Sequence, residues 1–232
     1  MSQIHPKRGR DLRPTDRPGT PPGRSPRLVR LPEERADEVV EVLAGAFRWY
    51  PVMKHVAGGE PGADAQERIR ALVRFFVMAR ILSGHPVLGL EQEGDLVAAA
   101  TLTPPEHAPA PPAVKDLRNE TWDRLGAEAR DRYDELGRIW GTFEFPPTPH
   151  HHLNMIGVIP DRAGRGLGRS LLDAVHGLVA AHGASSGVSL TTETRRNVEL
   201  YRRAGYEVVA HEMIRAPDGT PALWTWGMFR PV

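Results

Sequence analysis

Between His150 and Arg169 the chain carries three local signals in an order that few folds accommodate. An apolar run is stopped by Pro160, glycines follow at positions 164, 166 and 168, and an amphipathic helix pattern then begins. That order is strand, glycine-rich turn, helix N-terminus. The N–H groups of a helix's first turn lack intrahelical partners and point out of its end, where the macrodipole also favours an anion. Glycine lets a ligand approach such a backbone closely. The spacing is not a Rossmann fingerprint, because Arg169 stands where the third glycine belongs. No Gly-Lys-Ser/Thr follows, so the Walker lysine and magnesium hydroxyl are missing as well. Arg165 and Arg169 lie at the helix end that disfavours cations unless an anion compensates, which also points to a phosphate site.

The flanking sequence reads as alternating strands and helices. Arg27–Leu31 is a candidate first strand, and Pro32-Glu33-Glu34 opens a helix with Val39, Val40, Leu43, Ala44 and Phe47 on one face, ending near Trp49-Tyr50-Pro51. Trp49 and Tyr50 either line a pocket or close the core. After a turn at Gly58–Gly62, a second helix places Ile69, Leu72, Val73, Phe76, Val77 and Ile81 in one stripe, and a hairpin follows about Glu93-Gly94-Asp95. A five-proline loop from Thr103 to Ala113 leads into a helical piece from Val114 to Trp140, read as a lid, an acceptor-site wall or a structural insertion. The central strand runs from about His151 to Ile159. Its helix shows Leu167, Leu171, Leu172, Val175, Leu178 and Val179 on one face, with Gly183 as the expected C-cap. A strand over Gly187–Thr192, a short helix over Asn197–Ala204 and two closing strands, Tyr206–Ile214 and Ala222–Phe229, complete the order.

Composition bounds the chemistry. The chain has no cysteine, which excludes a disulfide framework, a Cys-zinc site and a thiol nucleophile. No apolar run approaches the ~18 residues of a membrane span, and the N-terminus lacks the apolar core of a secretory signal, so a cytoplasmic protein without membrane contact is expected. Residues 1–27 hold seven Lys/Arg against Asp11 and Asp16, a balance of +5, which leaves −4 for the remainder of a chain whose net charge is +1. A nucleic-acid partner would therefore rest on the tail alone, and none is expected for the folded part. Residues 1–26, with six prolines and few large apolar side chains, read as a disordered Pro/Arg-rich tail: a basic arm for RNA, membrane or partner, or a solvated segment.

A second block downstream, Arg196 to Tyr206, changes the weight of the glycine turn. Val158-x-Pro160, the turn with Gly166 and Gly168, its helix, a strand and Leu200-Tyr201-x-x-x-Gly205-Tyr206 together resemble the Gcn5-related N-acetyltransferase (GNAT) superfamily. The likeness runs through residues 27–232 in element order. Within the superfamily the chain looks most like puromycin N-acetyltransferase relatives, on Ala46-Phe47-x-x-Tyr50-Pro51, the helical insertion, Arg196-Asn197 and the tryptophan-bearing last strand.

The resemblance implies an α/β fold: a mixed, mostly antiparallel sheet of about seven strands with helices on both faces, splayed at the central strand. It implies one acetyltransferase domain over 27–232, with 103–149 as a loop and helical insertion. It implies acetyl-CoA as co-substrate, with no metal, and the amine of a small molecule as acceptor; the alternatives are a protein or peptide N-acetyltransferase and a catalytically silent CoA-binding module. Main-chain groups of Ile156, Gly157 and Val158 would hold the acetyl carbonyl and pantetheine arm, and N–H groups of Gly164, Arg165, Gly166, Leu167, Gly168 and Arg169 the pyrophosphate. Asn197 would be a further contact to CoA, although it lies four residues before Tyr201 and the family's usual asparagine position, seven before, holds Thr194. Tyr201 matches the tyrosine that protonates the departing thiolate, a role that suits a phenol with a reference pKa of ~10. Ala163 stands where the family usually has Gln or Arg; Arg162, Arg165 or the backbone alone would have to compensate.

The general base is left open among His152, Glu144, Glu193 and a water. His152 and Asn154 share one face of the central strand and His151 lies on the other. That alternation argues against a metal at the three histidines, since no Cys or carboxylate cluster completes a shell. A homodimer is a further possibility, with Trp224 and Trp226 at either core or interface.

Overall fold

The computed structural model describes residues 25–58, 62–216 and 218–232. The expected disorder of residues 1–26 lies outside them except at Ser25 and Pro26, as do parts of the turns at Gly58–Gly62 and Pro217–Gly219. The strands are β1 (Arg27–Arg30), β2 (Val87–Gln92), β3 (Asp95–Thr103), β4 (His151–Val158), β5 (Gly187–Thr192), β6 (Glu207–Arg215) and β7 (Pro221–Pro231). They form one seven-stranded sheet in the order β1-β2-β3-β4-β5-β7-β6. Every pair is antiparallel except β4–β5. The expected sheet, helices on both faces included, is the one found.

The helices are α1 (Ala36–Phe47), α2 (Pro51–Ala57), α3 (Ala63–Leu82), α4 (Pro112–Leu125), α5 (Ala127–Trp140), α6 (Leu167–Ala181) and α7 (Arg195–Arg203). On one face of the sheet, α1 to α5 bury a cluster that includes Val39, Leu43, Leu72, Val77, Trp122, Leu136 and Met155. On the other, α6 and α7 bury Leu171, Leu172, Val175, Val198, Tyr201 and Tyr206 against Ala98, Leu102, Leu153 and Leu190. α1 and α6 lie directly on opposite faces of the sheet, and α4 packs outside α3, an arrangement that removes both faces from water. Among the described residues no helix is long and apolar enough to cross a membrane.

One element is added and three local expectations are corrected. The segment after Tyr50 is a helix, α2, with Pro51 at its first position, where the missing N–H costs nothing. The helical piece over 114–140 is two helices, broken at Gly126, whose φ is +86°. They are not a detached lid: Trp122, Leu125, Ala129 and Leu136 belong to the α1–α5 core, and α5 forms a wall of the cavity described below. The C-cap of α6 is His182, with φ −91°, and Gly183 is not among the glycines with positive φ.

Two features of β4 position the site. Its pairing with β5 is confined to His151–Leu153 against Val188–Leu190, although both strands continue. Beyond that point they diverge and leave a gap in the sheet. The register with β3 also shifts between Thr101 and Leu102, a bulge at Asn154–Met155. Leu153 therefore packs in the α6-side core and Met155, two residues on, in the opposite one. Simple alternation would put them on the same face. Farther along β4, the α1 helix lies so close that a Cβ on Gly157 would stand 2.6 Å from the Ala46 Cβ.

Candidate active site

The gap between β4 and β5 opens a cavity of about 680 Å³. Its walls come from α1 (Ala46, Phe47), α3 (Phe76, Arg80), α5 (Tyr133, Trp140), β4 (His152–Val158) and α7 (Asn197, Tyr201), with Tyr50, Ala163, Glu193 and Thr194 from the connecting turns. Ile156, Gly157, Val158, Asn197 and Tyr201, all singled out from the sequence, thus meet in one space.

Gly164 and Gly166 adopt left-handed φ values of +77° and +81°, which an L side chain would adopt only with strain. An added Cβ at either meets nothing within 4 Å, so their conformation rather than crowding demands glycine. Gly168 has no such requirement; its Cβ would make an ordinary 3.6 Å contact with Val158. The N-cap of α6 is Gly166 itself, with no side-chain cap, and intrahelical bonding begins with the Ser170 N–H to the Gly166 carbonyl at 3.0 Å. The N–H groups of Leu167, Gly168 and Arg169 are therefore left for an external acceptor. The site suits a diphosphate: an uncapped end of a 15-residue helix, reached over open glycines. Ala163, whose neighbours lead into this turn, borders the cavity.

The arginines near the turn divide. Arg162 lies 3.7 Å from Glu93, and Arg169 is bound by Asp173 at 2.9 Å. Arg165 is exposed and forms no ion pair among the described residues. Of the two side chains that could replace the missing residue at 163, Arg165 is the one not already engaged.

At the other end, Tyr50 organises a set of polar groups from segments far apart in the chain. Its hydroxyl lies 2.8 Å from Thr192 Oγ1 and accepts from the Glu193 N–H at 3.0 Å and from Asn197 Nδ2 at 3.4 Å. The Asn197 backbone N–H is in turn capped by Thr194 Oγ1 at 3.2 Å. Tyr50 therefore belongs to the pocket, whereas Trp49 is 61% exposed and carries the Arg48 guanidinium over its ring.

Glu193 is buried, and Thr225 Oγ1 donates to its Oε1 at 2.9 Å while accepting from Trp140 Nε1 at 3.1 Å. Burial pushes the carboxyl up to about 7, with the Thr225 and Tyr50 hydroxyls holding it back in part. The Tyr201 hydroxyl is buried and raised well above the usual phenol range, first by burial and then by the nearby Glu193, so it is protonated at neutral pH. Its ring stacks edgewise on Tyr206 at 5.4 Å.

The remaining base candidates separate on position. His152 lines the cavity and bonds Ser189 Oγ through Nδ1 at 2.9 Å, but burial lowers it to about 4, which makes it a weak base. Asn154 beside it accepts from Thr103 Oγ1 at 2.9 Å. His151 points to the opposite side, where Nδ1 lies 2.9 Å from Ser185 Oγ and the ring meets His182. Glu144 is exposed and does not border the cavity. No group of three or more His, Cys, Asp or Glu among the described residues could hold a metal.

Comparisons with known proteins agree with this geometry. Residues 128–208 match the family model described as acetyltransferase (GNAT) domain, which spans α5 to the start of β6 and contains both the glycine turn and Tyr201. The fold is the GNAT fold. A GNAT structure from Rhodopseudomonas palustris is 18% identical and superposes with a TM-score of 0.53, covering 92% of this chain and all of the other. A Corynebacterium glutamicum structure titled histone acetyltransferase HPA2 and related acetyltransferase is 22% identical, with a TM-score of 0.56 and coverage of 90% and 97%. Drosophila melanogaster polyamine N-acetyltransferase is 17% identical, with a TM-score of 0.54 and coverage of 90% and 100%. At these identities the likeness establishes the GNAT architecture and leaves the acceptor to be argued from the cavity.

Arg80, Phe76, Tyr133, Trp140 and Thr225 were not singled out as site residues from the sequence. Arg80 did carry a signal: it falls four residues after Phe76 on the apolar stripe of α3, where a charge is out of place. Thr225 carried none, since a threonine in a strand is ordinary.

Proposed function

We propose that this chain is an N-acetyltransferase that moves the acetyl group of acetyl-CoA to the amine of a small molecule by direct attack. The observation that carries the reading is one cavity bordered both by the approach to an uncapped, glycine-opened helix N-terminus and by a protonated Tyr201 hydroxyl with a buried carboxyl nearby. Acetyl-CoA would supply an activated thioester. The first-turn N–H groups of α6, Leu167 to Arg169, would bind its pyrophosphate, together with backbone at Gly164 to Gly166. Main-chain groups of Ile156 to Val158, left unpaired by β5 where the strands diverge, would hold the pantetheine arm and meet the charge that builds on the carbonyl oxygen.

In this reading Glu193 takes a proton from the acceptor ammonium, the freed nitrogen bonds to the acetyl carbon, and the carbon–sulfur bond breaks. Tyr201 gives its proton to the leaving thiolate, and the second proton shed by the nitrogen as the amide forms restores the Tyr201 hydroxyl through water. A carboxyl that ionises near 7 is suited to the first task. Asn197 is assigned to CoA through its place beside Tyr50 at the junction of the two ends. Phe76, Tyr133 and Trp140 wall the acceptor end, which supports a small acceptor over a folded protein. We also place the chain nearest the puromycin N-acetyltransferase relatives, on Ala46, Phe47 and Tyr50, all three of which border the cavity.

The test is thiol release from acetyl-CoA against a panel of aminonucleosides, polyamines and amino acids, run beside thermal unfolding with acetyl-CoA. Release with at least one amine and a rise in Tm are expected. No release with any amine and no shift at millimolar acetyl-CoA would overturn the reading.

A further inference from the structure

The α3 helix carries four arginines, and they are not treated alike. Arg68 donates to the Ala57 carbonyl at 2.9 Å and the Leu125 carbonyl at 2.7 Å. Arg70 pairs with Glu41, and Arg74 with Asp37 at 2.6 Å. Arg80 makes no side-chain hydrogen bond or ion pair with any described residue, and its Nε is buried without a partner. It sits on the apolar stripe of the helix and borders the cavity beside Phe76, Tyr133, Trp140 and His152.

Arg80 is partly buried, and a cation drawn out of water without a counter-charge is costly, so burial weakens the guanidinium's hold on its proton. Among the described residues no carboxylate pairs with Arg80; its titratable neighbours are the Tyr133 phenol and the His85 and His152 imidazoles. The His152 imidazole beside it is neutral at physiological pH and so does not compete for an anion. The same cavity therefore has a carboxyl, Glu193, at the β5 wall and an uncompensated guanidinium at the α3 wall. The α6 N-terminus, where the donor's phosphates would sit, lies on the opposite face of the sheet from α3.

We infer that the acceptor amine carries an anionic oxygen group, a carboxylate or phosphoryl, and that Arg80 is the residue that binds it. The inference rests on the acetyl-transfer reading for its orientation: amine toward Glu193, anion toward α3. A guanidinium offers a planar fork of donors that matches such a group in two parallel hydrogen bonds, and desolvated aromatic walls strengthen the pairing. Binding would complete the ion pair that the folded protein lacks. Amines without an anion would leave the guanidinium unpaired and lose that contribution.

The experiment measures thiol release with matched pairs: para-(aminomethyl)benzoate against its carboxamide, γ-aminobutyrate against its carboxamide, and aminopropylphosphonate as the phosphoryl arm. The expected result is a preference of about tenfold or more in kcat/KM for an anionic member over its neutral counterpart. Arg80→Gln brings that ratio close to one, Arg80→Lys keeps part of it, and both retain the Tm rise with acetyl-CoA, which a merely misfolded variant would lose. Equal turnover of acids and amides by the wild type, or an unchanged preference in Arg80→Gln, overturns the inference while leaving acetyl transfer intact. If no amine is acetylated, binding decides. A Tm rise with para-(aminomethyl)benzoate in the wild type that is absent in Arg80→Gln supports the site, and no rise with any of the anions overturns it. Absence of thiol release together with no acetyl-CoA shift is instead the failure of the acetyl-transfer reading.

Discussion

At the α6 end of the site, the groups available to a ligand come from one contiguous stretch, Val158 to Arg169, and are main-chain N–H groups. At the α3 end they come from Tyr50, Arg80, Tyr133, Trp140 and Glu193, which are side chains on segments far apart in the sequence. The first end is fixed by backbone conformation, with Gly164 and Gly166 left-handed and the helix uncapped. The second is fixed by packing and by a hydrogen-bond relay from Trp140 through Thr225 to Glu193. A backbone site accepts many side-chain substitutions around it and keeps one ligand. A site built from side chains is altered directly when one of them is substituted. In the proposed reading the α6 end takes the donor and the α3 end the acceptor, so side-chain substitutions should act more on the acceptor than on the donor.

Substitutions that act at one end only would sharpen this contrast, and substitutions that act at both would break it. The largest effects are expected where the two ends meet. Tyr201→Phe should lower kcat by about 10²-fold or more, with less change in the acetyl-CoA KM, as steady-state kinetics on an identified amine would show. Unchanged turnover would remove the acid role. Glu193→Gln should lower kcat by a similar order, about 10²-fold, and abolish the rise of rate with pH through about 7.

The same variant tests the cost of burying that carboxyl. Unfolded, the group ionises near 4.5, and folded, near 7, so wild-type stability falls as pH rises across that interval. The loss is on the order of 3 kcal/mol above pH 7. Glu193→Gln should therefore be more stable than the wild type at pH 8 and gain little at pH 4, as denaturant unfolding at both pH values would report.

Gly166→Ala places a Cβ on a residue with φ +81°. Straining or reshaping the turn, at about 1–2 kcal/mol, should raise the acetyl-CoA KM about tenfold and leave the amine KM in place. A matching rise in the amine KM would mean that the ends are coupled. The smallest effect is expected from Thr225→Val, which removes the donor to Glu193 Oε1. The acidic limb of the pH–rate profile should move up by about one unit, with acetyl-CoA affinity unchanged.

Much of the fold was legible from periodicity and punctuation. The seven strands and the long helices α1, α3 and α6 follow from apolar spacing, and the hairpin about Glu93-Gly94 from its turn residues, which have φ values of +60° and +99°. The short helix α2 was not legible, because seven residues beginning with a proline give too little periodicity. The break at Gly126 was hidden because helical spacing on both sides of it reads as one pattern. Gly183 was over-read: a glycine near a helix end is a common cap, yet here His182 closes the helix in extended conformation.

The sequence by itself determined the glycine turn and helix N-terminus that the proposed function assigns to the donor. Strand, proline, left-handed glycines and helix are consecutive, and consecutive residues set their own dihedral angles and hydrogen bonds. The pairing of Gly166 with Tyr201 as one site followed from resemblance to a known pattern. Only the tertiary structure decided the acceptor end. Whether β4 parts from β5, which face Met155 takes after the bulge, whether Tyr50 reaches Glu193, and whether Arg80 finds a counter-charge all depend on how distant segments pack. Burial and the absence of a partner are properties of that packing, and they set apart an ordinary glutamate and an ordinary arginine as the two groups that would face the acceptor in the proposed reaction.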